Sequence, residues 1–233
     1  MPDHLIDASN SVEARFICFE GIDGSGKSSL ALALAERLRR EGRTTIVVDK
    51  QLEAPQDPLV SWEVRALGDA LWRYPKDADI GRLGSRYWLG LIALWFELVD
   101  RCLVRPSLER GITVIAGGWC YKYAARFSLK PEIGDEDLKR AFLGLTEPDE
   151  VILLDIEPAA AMERRQALKP SEAGAADGYG GDPRSDFIAY QGRVREQLRK
   201  MAELQDWTEI GSADEDLEGV LERALGALQA RTG

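Results

Sequence analysis

The stretch Gly21-Ile22-Asp23-Gly24-Ser25-Gly26-Lys27-Ser28 decides the reading of this chain. It satisfies the pattern Gly-x-x-x-x-Gly-Lys-Ser, which carries meaning only between a strand and a helix. Both flanks are present. Before it, Arg15 to Glu20 (Arg-Phe-Ile-Cys-Phe-Glu) is a short β-branched and aromatic run that reads as a buried strand. After it, the chain from Lys27 to Glu41 is dense in good helix formers, carries Arg39 and Arg40 near its end and stops at Gly42. Glycines let successive backbone N–H groups turn toward phosphate oxygens, and the following helix presents its positive end to the same anion. Nucleoside triphosphate binding follows, through Gly21, Asp23, Gly24, Ser25, Gly26, Lys27, Ser28 and Ser29. Lys27 is expected to reach the terminal phosphates, and the Ser28 hydroxyl to hold Mg²⁺. Glu20 and Asp23 place carboxylates beside those phosphates, a costly arrangement unless they serve a metal, a substrate hydroxyl or a basic side chain.

Outward from the loop, Thr44 to Asp49, Thr113 to Ala116 and Val151 to Ile156 are further short apolar runs separated by helix-length segments. Strands alternating with helices predict an α/β fold on a parallel sheet. Trp207 to Gly211 reads as an edge strand. Ser212 with Glu215 makes a capping-box signature ahead of the helically spaced Leu217, Val220, Leu221, Ala224, Leu225 and Leu228. The long stretch from Gln51 to Gly111 holds Trp62, Trp72, Trp88 and Trp95, which read as helix residues packed on the sheet. Residues 170 to 186, rich in Gly, Ala, Pro and Asp, read as a flexible loop within the domain. Residues 1–14 read as a flexible leader and 15–233 as one domain.

The 233 residues are 45% hydrophobic and 30% charged, enough for a core without a disulfide or metal staple. A formal net charge of −10 argues against extended nucleic acid and anionic membrane as partners. Between Glu203 and Arg223 stand eight carboxylates and one cation, so most of that excess is one C-terminal face; the rest of the chain leaves room for a small phosphate ligand. No apolar run approaches a membrane span and the first fourteen residues lack a signal pattern, which reads as cytoplasmic. Three widely spaced cysteines (Cys18, Cys102, Cys120) and a single histidine, His4, make disulfide frameworks, Cys/His zinc sites and a Ser-His-Asp triad poor explanations.

The segment Phe16-Ile-Cys-Phe-Glu-Gly-Ile-Asp-Gly-Ser-Gly-Lys-Ser-Ser29 closely resembles the opening of the thymidylate kinase family. Three later segments agree in order: Leu153 to Pro158 with Ala161 to Arg165, resembling that family's fourth strand and the start of its lid; Phe187 to Arg195, resembling the helix after the lid; and Trp207 to Asp214, resembling the segment beside the adenine, where Ser212 falls. The resemblance implies a P-loop kinase fold with a five-stranded parallel sheet flanked by helices and a mobile lid at about 164–186. It also implies transfer of the γ-phosphoryl of ATP, with Mg²⁺, to a nucleotide-like acceptor. Family members lacking an arginine in the phosphate loop, where this chain has Gly24, carry charge-neutralising arginines in the lid. Arg164, Arg165 and Arg184 are therefore implied at the transferring phosphoryl. The family commonly dimerises by packing helices; the apolar run Leu89 to Val99 fits that role or burial within one copy.

The departures lie on the acceptor side. Where the family has Asp-Arg and an aromatic residue after strand three, this chain has Gly117-Gly118-Trp119, and the Arg-Glu-Pro-Gly segment after strand two is unrecognisable. The family's second acceptor-site arginine would fall near Phe96, where no charge stands unless a shifted alignment brings in Arg86 or Arg101; Lys122 and Arg126, three and seven residues beyond Trp119, are candidates to replace the missing cations. Trp119, Tyr121 and Tyr123 are candidates to stack on a planar acceptor, or are core aromatics. The leading expectation is a kinase acting on a (deoxy)nucleoside monophosphate, including one other than TMP. The alternatives are a kinase acting on a hydroxyl of a nucleoside or metabolite, which would want Glu20 or Asp23 as its base, and a nucleotide-binding module without turnover.

Overall fold

Four apolar runs and one edge run assemble into a single parallel sheet. The computed structural model describes residues 15–50, 57–75, 78–211 and 216–231; the leader, His4, Ser212 and Glu215 lie outside them. The strands are β1 (Phe16–Glu20), β2 (Thr45–Val48), β3 (Thr113–Ala116), β4 (Glu150–Asp155) and β5 (Thr208–Gly211), in the order β2-β3-β1-β4-β5. Every neighbouring pair is parallel, with Ile17 opposite Ile115 on one side of β1 and opposite Glu150 on the other. The helices are α1 (Lys27–Arg40), α2 (Pro58–Trp72), α3 (Ser85–Val99), α4 (Arg105–Glu109), α5 (Tyr121–Phe127), α6 (Asp135–Phe142), α7 (Pro158–Glu163), α8 (Pro183–Leu204) and α9 (Leu217–Ala230).

Strand periodicity sorts the core onto the two faces of the sheet. Phe16 and Cys18 face α3, where Trp95, Phe96 and Val99 are buried, while Ile17 and Phe19 face Leu30 and Leu34 of α1 and Val220 and Ala224 of α9. Further along, Leu153 and Ile156 meet Phe187, Val194 and Leu198 of α8. The run Leu89 to Val99 thus turns Leu89, Ile92, Trp95, Phe96 and Val99 into this core and leaves Leu94 more than half exposed. The last helix is capped by Asp216, whose carboxylate accepts from the Gly219 N–H.

Because β1 is central and its neighbours β3 and β4 lead away in opposite directions, the loop after β1 opens at the switch point of the sheet. That is where open α/β sheets bind ligands. The C-terminal ends of β2 and β3 deliver Asp49, Lys50 and Gly117 to the same edge. Between α7 and α8 the chain makes two short 3₁₀ turns, Pro170–Glu172 and Ala175–Asp177, which lie across that edge. Among the described residues, no helix is long and apolar enough to cross a membrane.

Candidate active site

The phosphate loop takes the conformation its glycines permit. Gly24 and Gly26 have φ of 88° and 98°, in the left-handed region that favours glycine. A Cβ at Gly24 would stand 2.8 Å from the Ala161 carbonyl oxygen, so a side chain at this position, an arginine included, would force the backbone to shift. α1 begins at Lys27 with no side-chain cap, which leaves its first-turn N–H groups for an anion. Lys27 is buried, and its Nζ donates to Gly21 O at 2.9 Å, Ile22 O at 2.7 Å and Ser25 Oγ at 3.3 Å. Burial, reinforced by the nearby Lys122 cation, pulls its pKa down to about 7. Ser28 and Ser29 are exposed at the mouth of this cleft, which Asp49, Arg164 and Arg165 also line.

A second pocket, ≈ 210 Å³, adjoins the first, and Asp23, Lys50 and Glu172 line both. Its apolar walls come from α2, α3 and α5 through Leu71, Trp72, Trp88, Ile92, Tyr123 and Phe127. Each of its carboxylates is engaged by a cation or a hydroxyl. Asp23 Oδ1 accepts from Lys122 Nζ at 2.7 Å, and Arg126 approaches Oδ2 at 4.0 Å. Burial favours the neutral form of Asp23, but the Lys122, Lys50 and Arg126 cations outweigh it and hold the carboxyl well below its ordinary range. Lys130 pairs with Asp177 at 2.7 Å, Glu132 accepts from the Ser85 hydroxyl, and Glu172 accepts from Arg165. The buried Tyr123 hydroxyl has no hydrogen-bond partner among the described residues; burial raises its pKa, but Lys50, Lys122 and Arg126 together outweigh that and lower it.

Several expected residues lie elsewhere. Trp119 is 1% exposed and sits edge-on between Phe16 and Phe96, a core residue rather than an acceptor platform. Tyr121 packs edge-on against Trp207, outside both pockets. Glu20 is sealed beneath the loop at 0% exposure, with Oε1 accepting from the Trp119 N–H at 2.8 Å and Oε2 without a partner among the described residues; burial raises its pKa. It therefore faces neither pocket. Arg86, 70% exposed, pairs with Asp137 at 3.2 Å, and Arg184 pairs with Glu163, so neither is brought to the clefts. Ser212 lies outside the described residues. Asp155, at the end of β4, accepts two bonds from Arg195, at 2.6 and 2.8 Å, which gives it a structural partner.

The residues that sequence reasoning passed over are Lys50, Trp72, Trp88, Lys130, Glu172, Tyr190 and Gln191. Lys50 directly follows β2 and stands 5.9 Å over the Trp72 ring. The signal for the tryptophans was present in two consecutive aromatic-rich helices, but a period of 3.6 does not say which face meets a ligand. The Gly117-Gly118 turn has a steric explanation: a Cβ on Gly117 would lie 3.1 Å from Ser28 Cα, so the absent side chain is what lets β3 close onto the start of α1.

A phosphate loop at the switch point of a five-stranded parallel sheet, with basic residues facing it from the segment after α7, defines a P-loop phosphotransferase of the nucleotide-kinase type. The chain is similar over most of its length to proteins named thymidylate kinase. The thymidylate kinase of Nitrobacter winogradskyi is 27% identical over 232 residues, which cover 96% of this chain and 91% of that protein. The probable thymidylate kinase of Thermococcus kodakarensis is 29% identical over 231 residues (94% and 98%), and the thymidylate kinase of Caenorhabditis elegans 25% identical over 216 residues (91% and 89%). No family model matches the chain.

Proposed function

We propose that the protein transfers the γ-phosphoryl group of ATP to a (deoxy)nucleoside monophosphate, one other than TMP or a modified nucleotide included. The observation that favours a monophosphate over a hydroxyl acceptor is the state of the acids around the second pocket. A hydroxyl nucleophile wants a general base, whereas a phosphate oxygen is already an anion. Among the described residues lining that pocket, Asp23, Glu132, Glu172 and Asp177 each accept from a cation or a hydroxyl, and Asp23 is a weakened base. Glu20, the other candidate base, is sealed away.

In this reading Lys27 leaves its internal carbonyl partners for the β,γ-phosphates, and the loop amides hold the same oxygens. The donor set suits Mg²⁺, a hard cation bound by few protein oxygens plus substrate phosphates: the Ser28 hydroxyl would hold it, with the Asp49 carboxylate on the same cleft. Bound there, the ion supplies charge neutralisation and orientation of the phosphates. Arg164 and Arg165 supply positive charge to the migrating phosphoryl group from the lid segment 164–186. Lys50, Lys122 and Arg126 replace the missing family arginines at the acceptor phosphate, and Tyr123 offers its hydroxyl to the acceptor. An acceptor phosphate oxygen attacks the γ-phosphorus, the bond to the β,γ-bridging oxygen breaks, and ADP leaves. Pairing of two copies would use the outer face of α3, where Tyr87 and Leu94 are exposed.

ADP release measured against nucleoside monophosphates, nucleosides and hydroxylated metabolites tests the reading. Turnover with monophosphates alone is the expected result. Turnover with nucleosides instead rejects the monophosphate assignment, and ATP binding without turnover on any of them leaves the binding-module alternative.

A further inference from the structure

One buried amide joins the phosphate loop to the segment that covers it. Gln191, on α8, is 0% exposed and lies outside the charge pairs of the mechanism. Its Oε1 accepts from the Asp23 N–H at 3.1 Å. Its Nε2 donates to the Glu172 carbonyl at 2.7 Å and approaches Asp23 Oδ2 at 3.4 Å. A fully buried primary amide with both ends engaged is orientation-specific: exchanging its O and N would set donor against donor and acceptor against acceptor.

The loop group it holds is half of a peptide plane whose other half is held by Lys27. The Ile22 carbonyl accepts from Lys27 Nζ at 2.7 Å and from the Ser25 N–H at 3.2 Å, and the N–H of that same peptide unit is the Asp23 N–H bound by Gln191. The unit is rigid, so its two hydrogen bonds cannot reorient independently. At the far end, Glu172 closes the Pro170–Glu172 turn, and its carboxylate receives Arg165. Arg126, which faces Asp23, donates to the neighbouring Ser171 carbonyl. An unbroken line therefore runs from Lys27 through the 22–23 peptide and Gln191 to the Glu172 turn and Arg165.

We propose that Gln191 is a positioning residue that couples occupancy of the phosphate loop to the order of the 165–178 segment. Resting on the donor-site reading above, it acts when Lys27 turns to bound phosphates. The Ile22 carbonyl then loses the closer of its two donors and keeps only the Ser25 N–H, the 22–23 peptide re-seats, and Gln191 carries that change to the Glu172 carbonyl. Coupling of this kind is reciprocal, so ordering of the segment by an acceptor tightens donor binding by the same factor.

The test is hydrogen–deuterium exchange of the full chain with and without Mg²⁺ and β,γ-imido-ATP, following amides 21–30 and 165–178 separately. The wild type is expected to show slowed exchange in both, by about threefold or more in the distal segment. In Gln191→Met both ends of the link are lost. In Gln191→Glu the Asp23 N–H keeps its acceptor, but the carboxylate cannot donate to Glu172. Both variants are expected to retain the nucleotide response at 21–30 and to lose it at 165–178, an effect that lowered stability alone would not produce. A melting curve on each confirms folding, and Gln191→Glu serves if Gln191→Met does not fold. Persistence of the distal response in a folded variant, or its absence in the wild type while 21–30 responds, overturns the coupling. No response in either segment of the wild type overturns the donor-site reading itself.

Discussion

Replacing Lys122 by Met should destabilise the protein in proportion to the buried charge it strands. The Lys122 and Asp23 side chains are 5% and 8% exposed, and their ion pair is 2.7 Å long. Removing one partner of such a pair costs about 3–5 kcal/mol because the other charge stays buried. Here Asp23 keeps Arg126 at 4.0 Å and the Gln191 amide at 3.4 Å, which places the cost near the lower end, about 3 kcal/mol. For a domain of this size that lowers Tm by roughly 6–12 °C. Thermal unfolding at pH 7 measures it, and Asp23→Asn and the double variant complete a cycle in which the double costs less than the sum of the singles. The acid dependence gives a second check. The folded pKa of Asp23 lies below its ordinary value of 3.8, so its stabilisation is fully present above that value and is lost as pH falls through the lower folded pKa. Asp23→Asn removes that part of the acid sensitivity. A Lys122→Met variant melting within about 2 °C of wild type would refute the reasoning, since it would mean that Asp23 is not charged or not effectively buried.

Three further outcomes follow from the same geometry. Lys27, with a pKa of about 7 in the ligand-free protein, is mostly neutral at pH 8, and phosphates favour its ammonium form. Triphosphate binding at pH 8 should therefore take up as much as roughly 0.9 proton, read from calorimetry in buffers of different ionisation enthalpy. Lys27→Ala should abolish that uptake and lower turnover by orders of magnitude while leaving the fold intact; near-normal turnover would sink the loop assignment. Gly117→Ala should weaken nucleotide binding and cost about 1–3 kcal/mol, because its Cβ would meet Ser28 Cα at 3.1 Å and that neighbour is backbone; unchanged affinity and Tm would show that the turn yields freely. Glu20→Gln keeps an acceptor for the Trp119 N–H and should unfold within about 1 kcal/mol of wild type, whereas Glu20→Ala should cost about 2–3 kcal/mol; equal losses would mean that the carboxylate's charge is needed.

The parts of the site that the chain spells out contiguously were readable from it. The phosphate loop, its strand and its helix occupy consecutive residues from Phe16 to Arg40, and their physics is local: glycines for the turn, an uncapped helix start for the anion, a lysine at the reach of the terminal phosphates. The parallel α/β architecture was readable too, from short apolar runs at helix-length intervals.

What tertiary structure alone decided was which of several chemically equivalent side chains line the two pockets. Trp119 and Tyr123 are both aromatic and only four residues apart, yet one is wedged between Phe16 and Phe96 and the other lines the second pocket beside three cations. Arg86 and Lys50 are both basic, but Arg86 turns outward to Asp137 while the parallel pairing of β2 with β3 sets Lys50 beside the phosphate loop. Gln191, 168 residues from Asp23, became part of the site only because α8 crosses the end of the sheet. Sequence carries the local periodicities and turn requirements of a chain, so it pointed to a phosphate-binding α/β protein; the second pocket is made by contacts between distant segments, which no local pattern encodes.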